Sequence, residues 1–147
     1  MKRVNKLLII ANSTWSLYNF RFNLVNELSQ KYKVKILSNK DKYKDYFIHN
    51  NILFEQLTFE RKTTNFFINL LLTINLFVKI MRYKPEFILS FGLKPNLFAI
   101  IICKLLTIKN IPTFTGLGTL YLKKNLIQKL IIFILRIFAN KKDIIFF

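Results

Sequence analysis

With 147 residues the chain is long enough for one domain with a real core and too short for a second. Its one cysteine, Cys103, excludes a disulfide framework within the chain and a metal cluster built from thiolates; lying in an apolar run, it reads as a small core residue. Lys and Arg total 24 against 7 Asp and Glu, and between Glu86 and Asp143 nine basic side chains meet no acidic one.

Such a half-surface should attract anionic lipid, phosphate or nucleic acid. A chain so rich in Lys, Asn, Ile and Phe, whose codons are AT-rich, also acquires basic charge from composition alone. The charged N-terminus enters a strand pattern directly, without the apolar region and small-residue cleavage site of a secretory signal, so a cytoplasmic location is expected.

Lys6-Leu7-Leu8-Ile9-Ile10-Ala11 is a continuous apolar run bounded by polar turn formers, the pattern of a strand buried on both faces of a parallel sheet. It is expected to be the central strand. Residues 12–19 read as a polar loop, and residues 18–31 as a helix with Phe20, Leu24, Val25 and Leu28 at helical spacing. Residues 33–38 suit a second strand, and 41–50 a short helix with Asn39 or Asp41 as a possible cap. A third strand is expected over 52–57. A long helix follows from Asn65, with Phe66, Phe67, Leu70, Leu71, Ile74, Phe77, Val78 and Met81 on one broad face, stopped by Lys84-Pro85.

Residues 86–91 read as a fourth strand, 92–96 as a loop, 97–107 as a helix and 111–114 as a fifth strand followed by Thr115-Gly116-Leu117-Gly118. A further helix over about 125–140 and a last strand over 143–147 close the chain. This βα alternation predicts a doubly wound, mostly parallel α/β sheet flanked by helices. A buried strand at the extreme C-terminus has no following helix to cover it, so the domain is expected to be C-terminally truncated. The apolar runs over 66–81, 97–108 and 126–138 are shorter than the ~20 residues of a spanning helix and carry polar interruptions, which favours peripheral membrane association over spanning.

Ligands of open parallel sheets sit outside the carboxyl ends of the strands. Asn12, Ser13, Trp15, Tyr18 and Arg21 after the first strand, Lys94 and Asn96 after the fourth, and Thr115, Gly116 and Gly118 after the fifth are therefore the candidate binding residues. Trp15 and Tyr18 could stack on a sugar, cover a lipid chain or plug the loop onto its helix. Arg21, read as opening a helix, would oppose the macrodipole unless an anion lay nearby. The two glycines could expose backbone amides to an anion or hydroxyl, or serve a tight turn. Lys123, Lys124, Lys129 and Arg136, around an apolar helix, fit a surface lying on acidic lipid or a solvated face.

No Ser-His-Asp or Cys-His set is apparent, and the only histidine, His49, reads as a surface residue. The first strand-to-helix turn contains no glycine, which argues against a dinucleotide fingerprint. No catalytic or metal-binding residue is assigned.

The first strand with Asn19-Phe20-Arg21, the Lys94-Pro95-Asn96 turn and the Gly116-Leu117-Gly118 turn together resemble the N-terminal half of family 4 glycosyltransferases, over essentially the whole chain. The resemblance implies one half of a GT-B fold, in which the N-terminal domain binds the acceptor and the C-terminal domain the nucleotide-sugar donor, with retention of configuration and no metal. It implies an acceptor that is lipid-linked or a growing saccharide of surface polysaccharide, lipopolysaccharide, capsule or glycan assembly, at the inner face of the plasma membrane. The donor domain with its paired acidic residues is not in this sequence, so no nucleotide-sugar cofactor is expected without a partner C-terminal glycosyltransferase chain. The histidine that the family's N-terminal cleft often offers near the donor sugar has no counterpart in His49. The competing readings are a non-catalytic basic module on an anionic membrane surface, or the remnant of a truncated gene. Nucleic-acid binding rests on charge alone, without a reading motif, and is not expected.

Overall fold

The computed structural model describes residues 5–59 and 65–114, residue 133 and the backbone of 145–146. Six strands, β1 (Lys6–Ala11), β2 (Lys33–Ser38), β3 (Leu53–Gln56), β4 (Phe87–Phe91), β5 (Lys109–Phe114) and β6 (Ile145–Phe146), form one sheet in the order β3-β2-β1-β4-β5-β6. Every pairing is parallel. Helices α1 (Thr14–Lys31), α2 (Lys44–His49), α3 (Phe66–Tyr83) and α4 (Leu93–Leu106) alternate with the strands. The expected α/β architecture is thus observed, with β1 inside the sheet between β2 and β4.

The continuous apolar run of β1 is explained by its two buried faces. Leu7, Ile9 and Ala11 point to one core with Leu17 and Val25 of α1 and Phe47 of α2; Leu8 and Ile10 point to the other with Leu76 and Ile80 of α3 and Ala99, Ile102 and Cys103 of α4. Cys103 is the core residue its sequence context implied, and burial pushes its thiol pKa up to about 12.

Several element boundaries differ from the sequence expectation: β5 begins at Lys109 rather than Ile111, and α2 spans Lys44–His49 rather than 41–50. The first loop is only Asn12-Ser13, because Ser13 caps α1 by accepting a bond from Ser16 N at 3.3 Å; residues 14–19 are already helical. Arg21 lies in the third turn of α1 rather than at its start, which removes the helix-dipole conflict. Residues 93–96 are helix rather than loop, since Pro95 occupies the first turn of α4, where its missing N–H would have had no intrahelical partner. The exposed faces differ too: Phe20 and Leu24 of α1 are solvent-facing. The expected helix over 125–140 apart from residue 133, with Lys123, Lys124, Lys129 and Arg136, and the turn over 115–118 lie outside the described residues.

Edge strand β3 is tied to both neighbours by one carboxylate. Glu55 pairs with Lys35 of β2 and with Lys79 of α3. Burial raises the Glu55 pKa, but hydrogen bonds and charge from the two lysines outweigh it, and the net shift is downward. A lowered folded-state pKa means that the stabilisation is present above the ordinary glutamate value and is lost as pH falls through the folded one. The carboxylate is about one third exposed, so water screens the pairs, and Glu55→Gln is expected to cost roughly 1 kcal/mol at neutral pH and to flatten the acid limb of a urea-stability profile below about pH 5.

Candidate functional site

Strand order reverses between β1 and β4, and the crevice outside their carboxyl ends is where an open α/β sheet receives a ligand. Asn12 and Ser13 leave β1 there, and Gly92 leaves β4. Gly92 adopts φ 102 and ψ 159, a backbone conformation essentially restricted to glycine, and serves as the N-cap of α4 without a side chain to cap it. The carboxamide of Asn12 lies directly over it: a Cβ on residue 92 would overlap Asn12 Nδ2 and stand 3.1 Å from Asn12 Cγ. The two strand ends therefore meet through a side-chain amide resting on bare backbone. The N-termini of α1 and α4 follow immediately on either side, and that of α4, which no side chain caps, brings amide N–H groups and a partial positive charge to the rim.

A third strand end braces this edge. The Asp41 carboxylate, beyond β2, accepts bonds from Thr14 Oγ1, from Trp15 N at 2.9 Å and from Tyr43 N at 2.9 Å. It neutralises the N-terminus of α1 from outside that helix. Asn39 or Asp41 is the possible cap of the following helix in the sequence, but neither caps it: α2 starts at Lys44, with no side-chain cap on Tyr43. Asn39 secures the neighbouring segment by donating to Phe59 O at 3.2 Å and accepting from Phe59 N.

The sequence candidates separate into groups. Asn12 and Ser13 lie at the crevice, both partly exposed. Trp15, 46% exposed on the first turn of α1, meets Phe20 edge-on at 5.5 Å. Arg21 is half-buried, with its guanidinium 4.6 Å from the ring centroid of Phe91, the last residue of β4. Burial lowers its pKa from the ordinary arginine value, and the group stays protonated. Among the described residues no carboxylate stands within ion-pair distance of it.

Tyr18 and Asn96 do not face the crevice. Tyr18 packs with Phe22, Tyr43 and Tyr46, at ring distances of 5.2, 4.9 and 4.6 Å, so it joins α1 to α2. Asn96 is fully buried, and its Nδ2 donates to Thr113 O at 2.8 Å, so it fastens α4 to β5 instead of reaching a ligand. Lys94 leans away along the rim and donates to Asn69 Oδ1 of α3 at 3.3 Å. Thr115, Gly116 and Gly118 follow Phe114 of β5 in the sequence and lie outside the described residues. His49 is exposed at the C-terminus of α2, the end nearer the amino end of β3, with Nδ1 2.6 Å from Asp45 O. The sequence does not single out Gly92, and it offers Asp41 only as a possible helix cap, not as the brace of α1. A lone glycine after a strand, and an aspartate three residues beyond one, were the available signals.

Chemically the crevice offers an amide, a hydroxyl, the side-chain-uncapped N-terminus of α4 and one cation, which suit polar or anionic groups of a ligand. Among the described residues it presents no histidine, carboxylate pair or thiolate. No cluster that could hold a metal occurs among the described residues.

These features define a doubly wound α/β domain with a polar crevice at its switch point. A profile of the family described as "Glycosyl transferase 4-like" matches residues 6–147, and the chain belongs to that family as a GT-B N-terminal domain. Solved structures of the same fold include a glycosyltransferase from Rickettsia africae ESF-5, at 12% identity and a TM-score of 0.64 over 97% of this chain and 42% of that one. MurG from Acinetobacter baumannii is similar at 18% identity and 0.60 over 74% and 33%. The lipopolysaccharide outer core galactosyltransferase WaaB is similar at 13% and 0.57 over 95% and 44%. The chain thus spans less than half the length of each. No curated protein matches it.

Proposed function

We propose that this domain is the acceptor-side half of a retaining, metal-independent glycosyltransferase that moves a sugar from a nucleotide sugar to a lipid-linked or saccharide acceptor in surface polysaccharide, lipopolysaccharide, capsule or glycan assembly. The observation that carries the acceptor assignment is the Asn12 side chain lying on Gly92. A pyrophosphate site at a switch point needs bare glycine backbone that phosphate can approach, and here an amide covers it. An amide, the Ser13 hydroxyl and the Arg21 guanidinium suit a sugar hydroxyl and an anionic linkage. The donor-binding half lies elsewhere, on the same polypeptide or on a separate chain, and catalysis requires both halves to hold their substrates in one orientation. The protein works in the cytoplasm, peripherally on the inner face of the plasma membrane.

The test is transfer of labelled sugar to a lipid-linked acceptor by this chain combined with a donor-binding half. Transfer by the combination and by neither part alone is expected, with a raised KM for acceptor and an unchanged KM for donor in Ser13→Ala and Arg21→Gln. Transfer by this chain alone, or a KM change confined to the donor, contradicts the assignment.

A further inference from the structure

The N-terminus of α1 already holds an anion, and the chain itself supplies it. Asp41 lies three residues beyond β2, whose end runs in register beside that of β1. Its Oδ2 accepts from Trp15 N at 2.9 Å, and its Oδ1 accepts from Tyr43 N at 2.9 Å and from Thr14 Oγ1. Both carboxylate oxygens are therefore engaged. Asp41 is half-buried between the exposed Lys40 and Lys42, and among the described residues it makes no ion pair. In a chain with 24 basic residues and 7 acidic ones, this carboxylate is committed to uncharged donors at a helix N-terminus.

We infer that Asp41 is a specificity determinant of the crevice: it stands where a ligand phosphate would sit on α1 and closes that side to nucleotides. In sheets that bind dinucleotides, phosphate lies on the N-terminus of the first helix and a separate acidic residue takes the ribose hydroxyls. Here an acidic residue fills the phosphate's own place. It repels an incoming phosphate, and it holds Thr14 Oγ1 and Trp15 N, which would have bound one.

The surrounding loop keeps Asp41 from swinging aside. Lys44 N donates to Asp41 O at 3.2 Å, and two residues earlier Asn39 is bonded twice to Phe59. Ser13 Oγ covers the next donor of α1 by accepting from Ser16 N. Anionic groups are thereby left the β4 side of the crevice, where Arg21 lies over Phe91 and no side chain caps α4. This role deepens the acceptor-side reading and rests on it for its meaning, while its test uses neither acceptor nor sugar transfer.

Trp15 is the only tryptophan, and its own N–H is one of the Asp41 partners, so its fluorescence reports on this spot. The experiment titrates inorganic phosphate, at constant ionic strength, into the full chain carrying Arg21→Gln, which removes the other group suited to an anion. In that background Asp41→Ala is compared with the protein retaining Asp41 and with Asp45→Ala, an exposed aspartate of α2 whose loss changes the net charge equally. Expected is a saturable Trp15 response in the Asp41→Ala protein, with half-saturation about five- to thirtyfold below any response of the other two. Asp41→Ala should also lower the urea midpoint, and phosphate should restore it where chloride does not. Asp41→Asn keeps the side-chain volume and should show the same response in weaker form, so a fold lost in Asp41→Ala leaves the test in place. Equal phosphate responses with and without Asp41, an equal gain in Asp45→Ala, or a midpoint that chloride restores as well as phosphate would each overturn the inference. None of these outcomes bears on which half binds the acceptor, since that turns on Ser13, Arg21 and the lipid-linked sugar.

Discussion

Gly92→Ala is expected to lower stability by about 2–4 kcal/mol, measured as a fall in the urea midpoint at unchanged slope. Two causes act together. At φ 102 and ψ 159 an L side chain is strained, and the new Cβ would overlap the Asn12 carboxamide. The strain remains whatever residue 12 is, whereas the overlap requires Asn12. Adding Asn12→Gly to Gly92→Ala should therefore return part of the loss, even though Asn12→Gly alone destabilises or is neutral. Strict additivity of the two substitutions would show that the side chain does not rest on the glycine.

Asn96→Ala should cost about 2 kcal/mol or more, because it strands the Thr113 carbonyl and leaves a cavity between α4 and β5. Asn96→Asp at neutral pH should be worse. Its carboxylate would face the Thr113 carbonyl with no donor, fully buried. If instead Asn96 met a ligand at an open rim, both variants would leave the denaturation midpoint within about 0.5 kcal/mol of wild type, as surface changes do.

Strands were legible because a doubly buried parallel strand writes itself as an unbroken apolar run. The 6–11 segment and the alternating 33–38 segment match β1 and β2 as observed. Helix starts were obscured where capping residues resemble loop residues. Ser13, Thr14 and Ser16 read as loop polarity, yet Ser13 accepts from Ser16 N and Ser16 Oγ donates to Ser13 O at 2.8 Å, so the same polarity starts α1. Pro95 likewise reads as a break and is a first-turn residue.

Side-chain direction was the least legible feature. Periodicity grouped Phe66, Phe67, Leu70, Leu71 and Ile74 but could not say whether that group faced sheet or solvent; the orientation is fixed at the far end, by Leu76, Ile80 and Tyr83. Asn96 and Tyr18 looked like rim residues for the same reason. A polar or aromatic residue near a strand end satisfies either a ligand or a neighbour, and Thr113, Tyr43 and Tyr46 became those neighbours only on folding. Asp41 shows the converse, since its role depends on β2 ending beside β1, a tertiary fact.

Separation of acceptor from donor binding can be measured on this chain directly, by calorimetric titration with a short-chain lipid-diphosphate sugar and, separately, with nucleotide sugars. Saturable binding of the lipid-linked sugar, weakened in Ser13→Ala and Arg21→Gln, with no heat from any nucleotide sugar, is the predicted result. Saturable binding of a nucleotide sugar, displaced by the free nucleotide and lost on Arg21→Gln, would contradict it and make this the donor half.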